Sequence, residues 1–206
     1  WMPPLMEWIE EQNTKKKSTQ PGLRVLWITP LRALVEDTTR SLLEAVEDLS
    51  LPWTVESRTG DTSGTIKAKQ RRKFPSALVT TPESLSLLLS YPETKLCFSD
   101  LRAVIVDEWH ELLSTKRGAQ TELCLARLRK WNPSLRTWGL SATLGNLDEA
   151  MATLTGHGKQ GILVDGSIRK KFVVKTLIPR NMESFPWAGH LGGKLVKQVA
   201  EVIDKK

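Results

Sequence analysis

Cysteine, tyrosine and histidine are scarce in this chain, with two, one and three among 206 residues. Cys97 and Cys124 form no CxxC pair, so neither a disulfide framework nor a zinc knuckle organises the fold. Both lie among apolar residues and are expected as reduced core thiols of a cytosolic protein. No apolar run approaches the ~20 residues that a membrane helix needs, and no secretory signal is present. A GxxxxGK[ST] phosphate loop is also missing. The nearest stretch, Ala188 to Leu195, has Ala at the first Gly position and Leu where Ser or Thr should stand, and it follows no strand. The chain opens on Trp1 rather than Met, inside a segment with helical periodicity, which is the expectation for a fragment.

What is abundant is positive charge. Thirty Lys and Arg against 23 Asp and Glu leave a formal +7, a balance that suits a polyanionic partner. Hydrophobic residues make up 40% of the chain, enough for a packed core. Short apolar runs alternate with helical periods. Strands are predicted at Arg24 to Thr29, Trp53 to Arg58, Ser76 to Thr80, Leu101 to Val106 and Leu135 to Leu140, with two more at Gly161 to Val164 and Lys171 to Ile178. Helices are predicted from Trp1 to about Gln12, over Leu31 to Leu49, Thr65 to Lys73, Pro82 to Leu89 and Gln120 to Trp131, from near Asn146, and over Gly189 to Lys206. Buried strands alternating with amphipathic helices imply an α/β fold, a mostly parallel sheet with helices on both faces. The rhythm breaks after about Ile168, which divides the chain into a domain over residues 1–167 and, over 168–206, a connector with the start of a second domain.

Open parallel sheets bind ligands at the carboxyl ends of their strands, so the residues there carry the functional reading. Thr29-Pro30-Leu31-Arg32-Ala33-Leu34 and Thr81-Pro82-Glu83-Ser84-Leu85 each place Thr as a helix N-cap and Pro at the first helical position. The N–H groups of such helix starts attract phosphates, although Thr-Pro is also an ordinary strand-to-helix junction. Asp107-Glu108-Trp109-His110 puts two adjacent carboxylates after an apolar strand, a costly arrangement unless a cation or reacting water uses them. A zinc-protease reading fails, because His110-Glu111-Leu112-Leu113 is followed by Ser114 instead of a second His. Ser141-Ala142-Thr143 offers two hydroxyls that can reach His110, or simply cap a helix.

In this order and spacing the pieces resemble the first motor domain of superfamily 2 helicases. Thr29 to Leu34 resembles motif Ia, Thr59-Gly60-Asp61 the Gly-containing motif after it, and Thr81 to Leu85 motif Ib. Asp107 to His110 resembles a DExH form of Walker B, and Ser141 to Thr143 resembles motif III. The Trp of DEWH, the Arg117 to Glu122 stretch and the Phe185 to His190 tail are similar to the Lhr-like, ligase-associated DExH-box DNA helicases. The resemblance implies a RecA-like, P-loop NTPase-type fold truncated at its N-terminus. It implies a 3′-to-5′ DNA translocase of DNA repair that uses ATP and Mg²⁺ on single-stranded or forked DNA, with a DNA ligase and a nuclease as partners. A bacterial cytoplasm, at the nucleoid and away from membranes, is the implied setting. Carried over residue by residue, Asp107 holds Mg²⁺ and Glu108 is the catalytic base, while His110, Ser141 and Thr143 couple hydrolysis to motion. Thr29, Pro30, Arg32, Thr59, Gly60, Thr81 and Pro82 face the nucleic-acid backbone. An RNA helicase of the same superfamily and a non-catalytic nucleic-acid-binding scaffold remain as alternatives. The basic run Lys67 to Lys73 reads as a solvated helix face, Trp27 and Trp138 as core, and Trp109 as a candidate for function.

Overall fold

The computed structural model describes residues 2–15, 21–142, 144–156, 158, 160–166, 174 and 192–204. It divides into two compact units, Trp1–Ile162 and Leu163–Lys206. In the first, β1 (Val25–Ile28), β2 (Val55–Arg58), β3 (Ala77–Thr80), β4 (Ala103–Val106) and β5 (Arg136–Gly139) form one parallel sheet in the order β2-β3-β1-β4-β5. The three central strands are the continuous apolar runs, because both of their faces are covered. The outer strands β2 and β5 carry polar residues.

Pleating sends alternate residues into two separate cores. Leu26, Ile28, Leu78, Val104 and Val106 pack with Leu85, Leu88 and Leu89 of α4 (Pro82–Ser90). The same core takes Leu125 and Leu128 of α6 (Lys116–Trp131) and Leu154 of α7 (Leu147–Thr155). Across the sheet, Val25, Ala77, Ala103 and Ile105 meet Leu5 and Trp8 of α1 (Met2–Lys15) and Val46 of α2 (Arg32–Asp48). The remaining helices of this unit are α3 (Gly64–Arg72), a 3-10 turn over Pro92–Phe98, and the short α5 (Trp109–Leu112). The second unit holds α8 (Gly192–Ile203), within the final helix expected from the sequence.

The α/β expectation holds for the five strands of the sheet, and several details are corrected. Trp138 is 45% exposed rather than core, on β5, which among the described residues pairs with β4 alone. The helix predicted from Gln120 starts earlier, at Lys116, and its inward stripe runs through Gly118, Thr121, Cys124, Leu125 and Leu128, leaving Leu123 73% exposed. Residues 161–164 form no strand, and Ile162 and Val164 stand open to solvent. The expected strand at Lys171 to Ile178 lies outside the described residues apart from Val174, as does the Phe185 to His190 tail.

Thr29 does not cap a helix. Its N–H continues the sheet ladder to the Thr80 carbonyl at 3.0 Å, which holds it extended, and α2 starts later with Leu31 at the N-cap. The companion junction behaves as expected. Thr81 accepts from the Ser84 N–H, and Pro82 occupies the first turn of α4.

Candidate functional site

Parallel register brings the strand ends level. Ile28 pairs with Thr80 on one side and Val106 on the other, and Val106 pairs with Gly139. Thr29, Thr81, Asp107 and Leu140 therefore emerge along one edge, and the short motifs separated in sequence become neighbours there.

At the end of β4 the two carboxylates diverge. Asp107 continues the strand, its N–H bonded to the Ile28 carbonyl at 2.8 Å. Glu108 then turns into the left-handed region at φ 47°, ψ 46°, and α5 begins at the next residue. A non-glycine residue there costs about 1–2 kcal/mol. The Asp107 Oδ1 accepts the Glu108 N–H at 3.0 Å and helps hold the turn. Reversal of the backbone between them aims the carboxylates differently, so one can serve a cation while the other serves a water.

The second Asp107 oxygen has a partner that the sequence reading missed. Trp27 Nε1–H donates to Asp107 Oδ2 at 3.2 Å, from the strand beside it in the sheet. With a donor on each oxygen, the Asp107 carboxylate is fixed in orientation while each oxygen keeps a free lone pair. No basic side chain pairs with Asp107 among the described residues. No cluster of three or more His, Cys, Asp or Glu suited to a metal ion occurs among them either. The oriented Asp107 carboxylate by itself would suit Mg²⁺, which keeps several waters and binds through one or two carboxylates plus substrate phosphates.

His110 reaches across to the end of β5. Its Nδ1 lies 3.2 Å from Ser141 Oγ and accepts the Ala142 N–H at 3.3 Å. Accepting a backbone N–H leaves the proton on Nε2, which faces Glu111 Oε1 at 3.4 Å. The Glu108 carboxylate lies 3.4 Å from the same Nδ1. That contact is no ion pair in this tautomer, because both atoms present lone pairs. His110 thus bridges the acidic turn and the exit of β5. Thr143 lies outside the described residues. Trp109 is core rather than site. It is 2% exposed, and its indole N–H is bonded to the Ala150 carbonyl at 3.0 Å.

The candidate nucleic-acid residues divide by exposure. Thr29, Pro30, Thr81 and Pro82 are buried, and Thr29 Oγ1 has no partner among the described residues. Arg32 and Gly60 are exposed, with Thr59 half-buried. Arg32 Nη1 bonds both Asp61 oxygens, at 3.1 and 2.9 Å, and so joins the two loops. Beneath them Arg58 is buried, donating to the Lys67 carbonyl and to Gln70 Oε1, and burial lowers its pKa. Lys67 Nζ donates to the Gly60 carbonyl at 2.8 Å, so part of the basic run braces this loop. Glu83, in the first turn of α4, is held by Arg117 through both carboxylate oxygens. Burial alone would raise the Glu83 carboxyl, but Arg117, its own N–H and the Thr81 hydroxyl bring it below the usual carboxylate range.

The DEAD/DEAH box helicase family model matches residues 2–150. The ATP-dependent helicase Lhr-Core of Methanocaldococcus jannaschii is 36% identical over 165 residues, 75% of this chain and 19% of that protein. The DExH-box ATP-dependent RNA helicase DExH13 of Arabidopsis thaliana is 30% identical over 145 residues, 68% of this chain and 6% of that one. Among solved structures, Mycobacterium smegmatis helicase Lhr bound to ssDNA and AMP-PNP superposes with a TM-score of 0.58 at 37% identity, covering 66% of this chain and 19% of that one. The sheet matches RecA-like helicase cores. The chain spans only about a fifth of the length of curated Lhr-Core relatives such as these. By the match over most of its first unit and the motifs gathered at one sheet edge, the chain belongs to the DEAD/DEAH box helicases, with Lhr-like helicases among its relatives.

Proposed function

We propose that this chain is the carboxylate-bearing part of an ATP-driven DNA helicase motor of the Lhr-like type. The observation that carries the reading is the turn at Glu108, which separates the Asp107 and Glu108 carboxylates and delivers His110 to Ser141. Asp107 would hold Mg²⁺, which supplies charge neutralisation at the nucleotide phosphates. Trp27 and the Glu108 N–H orient the Asp107 carboxylate for that task. Glu108 acts as the base that orients and deprotonates the attacking water. His110, with Ser141 and Thr143, links the state of that turn to the exit of β5 and so couples hydrolysis to motion.

The loops carrying Thr29, Pro30 and Arg32, Thr59 and Gly60, and Thr81 and Pro82 form the nucleic-acid face. Arg32 is the exposed cation there, and the buried residues shape the backbone around it. Backbone contacts of this kind position a strand without reading its sequence. DNA is preferred because a relative's structure was solved on ssDNA, while an RNA-directed relative keeps RNA as the second reading. Work in DNA repair beside a ligase and a nuclease, in a bacterial cytoplasm, rests on the family resemblance. The boundaries at residues 1–167 and 168–206 rest on the break in the strand–helix rhythm after about Ile168. These 206 residues hold no GxxxxGK[ST] loop, and among the described residues the outer edge of β5 pairs with no further strand.

The test is ATP hydrolysis by the full-length protein, with and without single-stranded DNA, beside its Glu108→Gln variant. DNA-stimulated turnover that falls by about 10²-fold or more in the variant is expected for loss of a catalytic base. Stimulation by RNA alone would move the assignment to RNA. No turnover in either protein would favour the non-catalytic scaffold.

A further inference from the structure

The other end of the sheet carries a feature that the motor reading does not use. Lys95 of the 3-10 turn and Ala126, Arg127, Lys130 and Trp131 of α6 line a groove of about 610 Å³. The 3-10 turn leads into the start of β4, and α6 ends just before the start of β5. The groove therefore sits at the amino-terminal edge of the sheet, opposite Asp107. Three cations converge on it and no lining residue is acidic. Neither Lys95 nor Lys130 has an ion-pair partner among the described residues.

Apolar surface lies alongside the charge. Leu123 is 73% exposed and stands one turn before Ala126 and Arg127 on the same helix face. Leu96, next to Lys95, is 81% exposed. Solvated leucines beside unpaired cations suit a ligand that is both acidic and apolar. A nucleic-acid strand fits less well, because its phosphates would use the cations but leave Leu96 and Leu123 solvated, and the aromatic face of the groove is already taken. The Trp131 ring lies against buried Phe98 at 6.0 Å, and the Arg127 guanidinium stands 5.0 Å over it on the outer side. That cation occupies the position a base would take.

We propose that this groove docks an acidic, leucine-bearing segment of a partner protein, at the edge of the sheet opposite the proposed nucleotide site. The occupant follows from charge complementarity with Lys95, Arg127 and Lys130 and from the flanking leucines.

The probe is a fluorescein-labelled synthetic helical peptide with Glu on one face and Leu on the other, titrated with the full-length protein and followed by anisotropy at about 0.1 M salt. Lys95→Glu with Arg127→Glu, and separately Leu96→Ser with Leu123→Ser, should each weaken binding by about tenfold or more, the loss typical of central interface residues. All of these side chains are solvent-facing, so nucleic-acid-stimulated ATP hydrolysis should survive in both variants and report that they are folded. Polyglutamate of equal charge binding as tightly as the amphipathic peptide would overturn the proposal in favour of bare charge attraction. Displacement of the peptide by oligo-dT, with oligo-dT binding lost in the charge-reversed variant, would overturn it in favour of a second nucleic-acid site. Unchanged peptide binding in both variants would also overturn it.

Discussion

Single side chains show how charge is held ready at the site. Arg32, the exposed cation of its loop, is engaged by both oxygens of Asp61. A nucleic-acid phosphate must compete with that carboxylate. Exposed pairs of this kind are worth about 0.2–1 kcal/mol, so Asp61→Asn should tighten nucleic-acid binding by up to about fivefold at low salt and by little at high salt. Unchanged affinity at low salt would show that Asp61 and phosphate do not compete for Arg32. The thiols invite a second measurement. Burial pushes the Cys124 thiol up to about 11 and also raises Cys97, which is less buried. Since the thiolate is the nucleophile, iodoacetamide at about pH 8 should modify Cys97 well before Cys124. Equal alkylation rates would mean that the α6 core opens on the time scale of labelling.

At the scale of elements, two junctions hold the loops in place. The first joins the end of β2 to α3. Arg58 and Gln70 are both buried, and Gln70 Nε2 donates onward to Glu56 Oε2 and the Ser57 carbonyl at 3.0 Å each. A guanidinium this deep is tolerated because it is bonded, and its bonds fix the strand exit from which Thr59 and Gly60 follow. The second junction joins the acidic turn to α6. A Cβ on Gly118 would stand 2.0 Å from the Leu112 carbonyl oxygen, a backbone atom that cannot swing aside. Gly118→Ala must therefore push α6 away from α5. It should destabilise the fold by about 1–3 kcal/mol, the usual range for overpacking, and slow hydrolysis through displacement of His110. Chemical denaturation checks the first effect; a midpoint equal to that of the parent would mean that α6 moves freely.

At the scale of the whole molecule, these 206 residues contain the proposed hydrolytic carboxylates, Asp107 and Glu108, without a GxxxxGK[ST] loop. The chain by itself should hydrolyse no ATP above background. Steady turnover that is abolished by Glu108→Gln would overturn this expectation and require a phosphate cradle of another kind. The same scale accounts for the misplaced tryptophan: a strand's faces are buried only where other elements cover them. Trp138 lies on β5, at the edge of the described sheet, and packs into none of the core clusters.

Much of the fold was legible in sequence because its signals are local. Apolar runs of strand length marked the three central strands and alternation marked β2, and Thr-Pro marked α4 correctly through the Thr81 cap. Asp107-Glu108 could be singled out because carboxylates after a buried strand are costly to keep. What sequence could not supply depends on which elements become neighbours. Strand order placed Trp27 against Asp107 and left β5 at an edge, and no local pattern encodes strand order. Trp109 stood within a functional motif, yet only the packing of α7 turned it into core. Thr29 carried the same local cap signal as Thr81, but its N–H stayed in the ladder to Thr80 and α2 began two residues later, with Leu31 at the N-cap. Sequence by itself determined the elements and the chemistry available at their ends, since propensity and apolar periodicity act over a few residues. Tertiary structure decided which of those groups meet, because strand pairing and core packing join residues far apart in the chain.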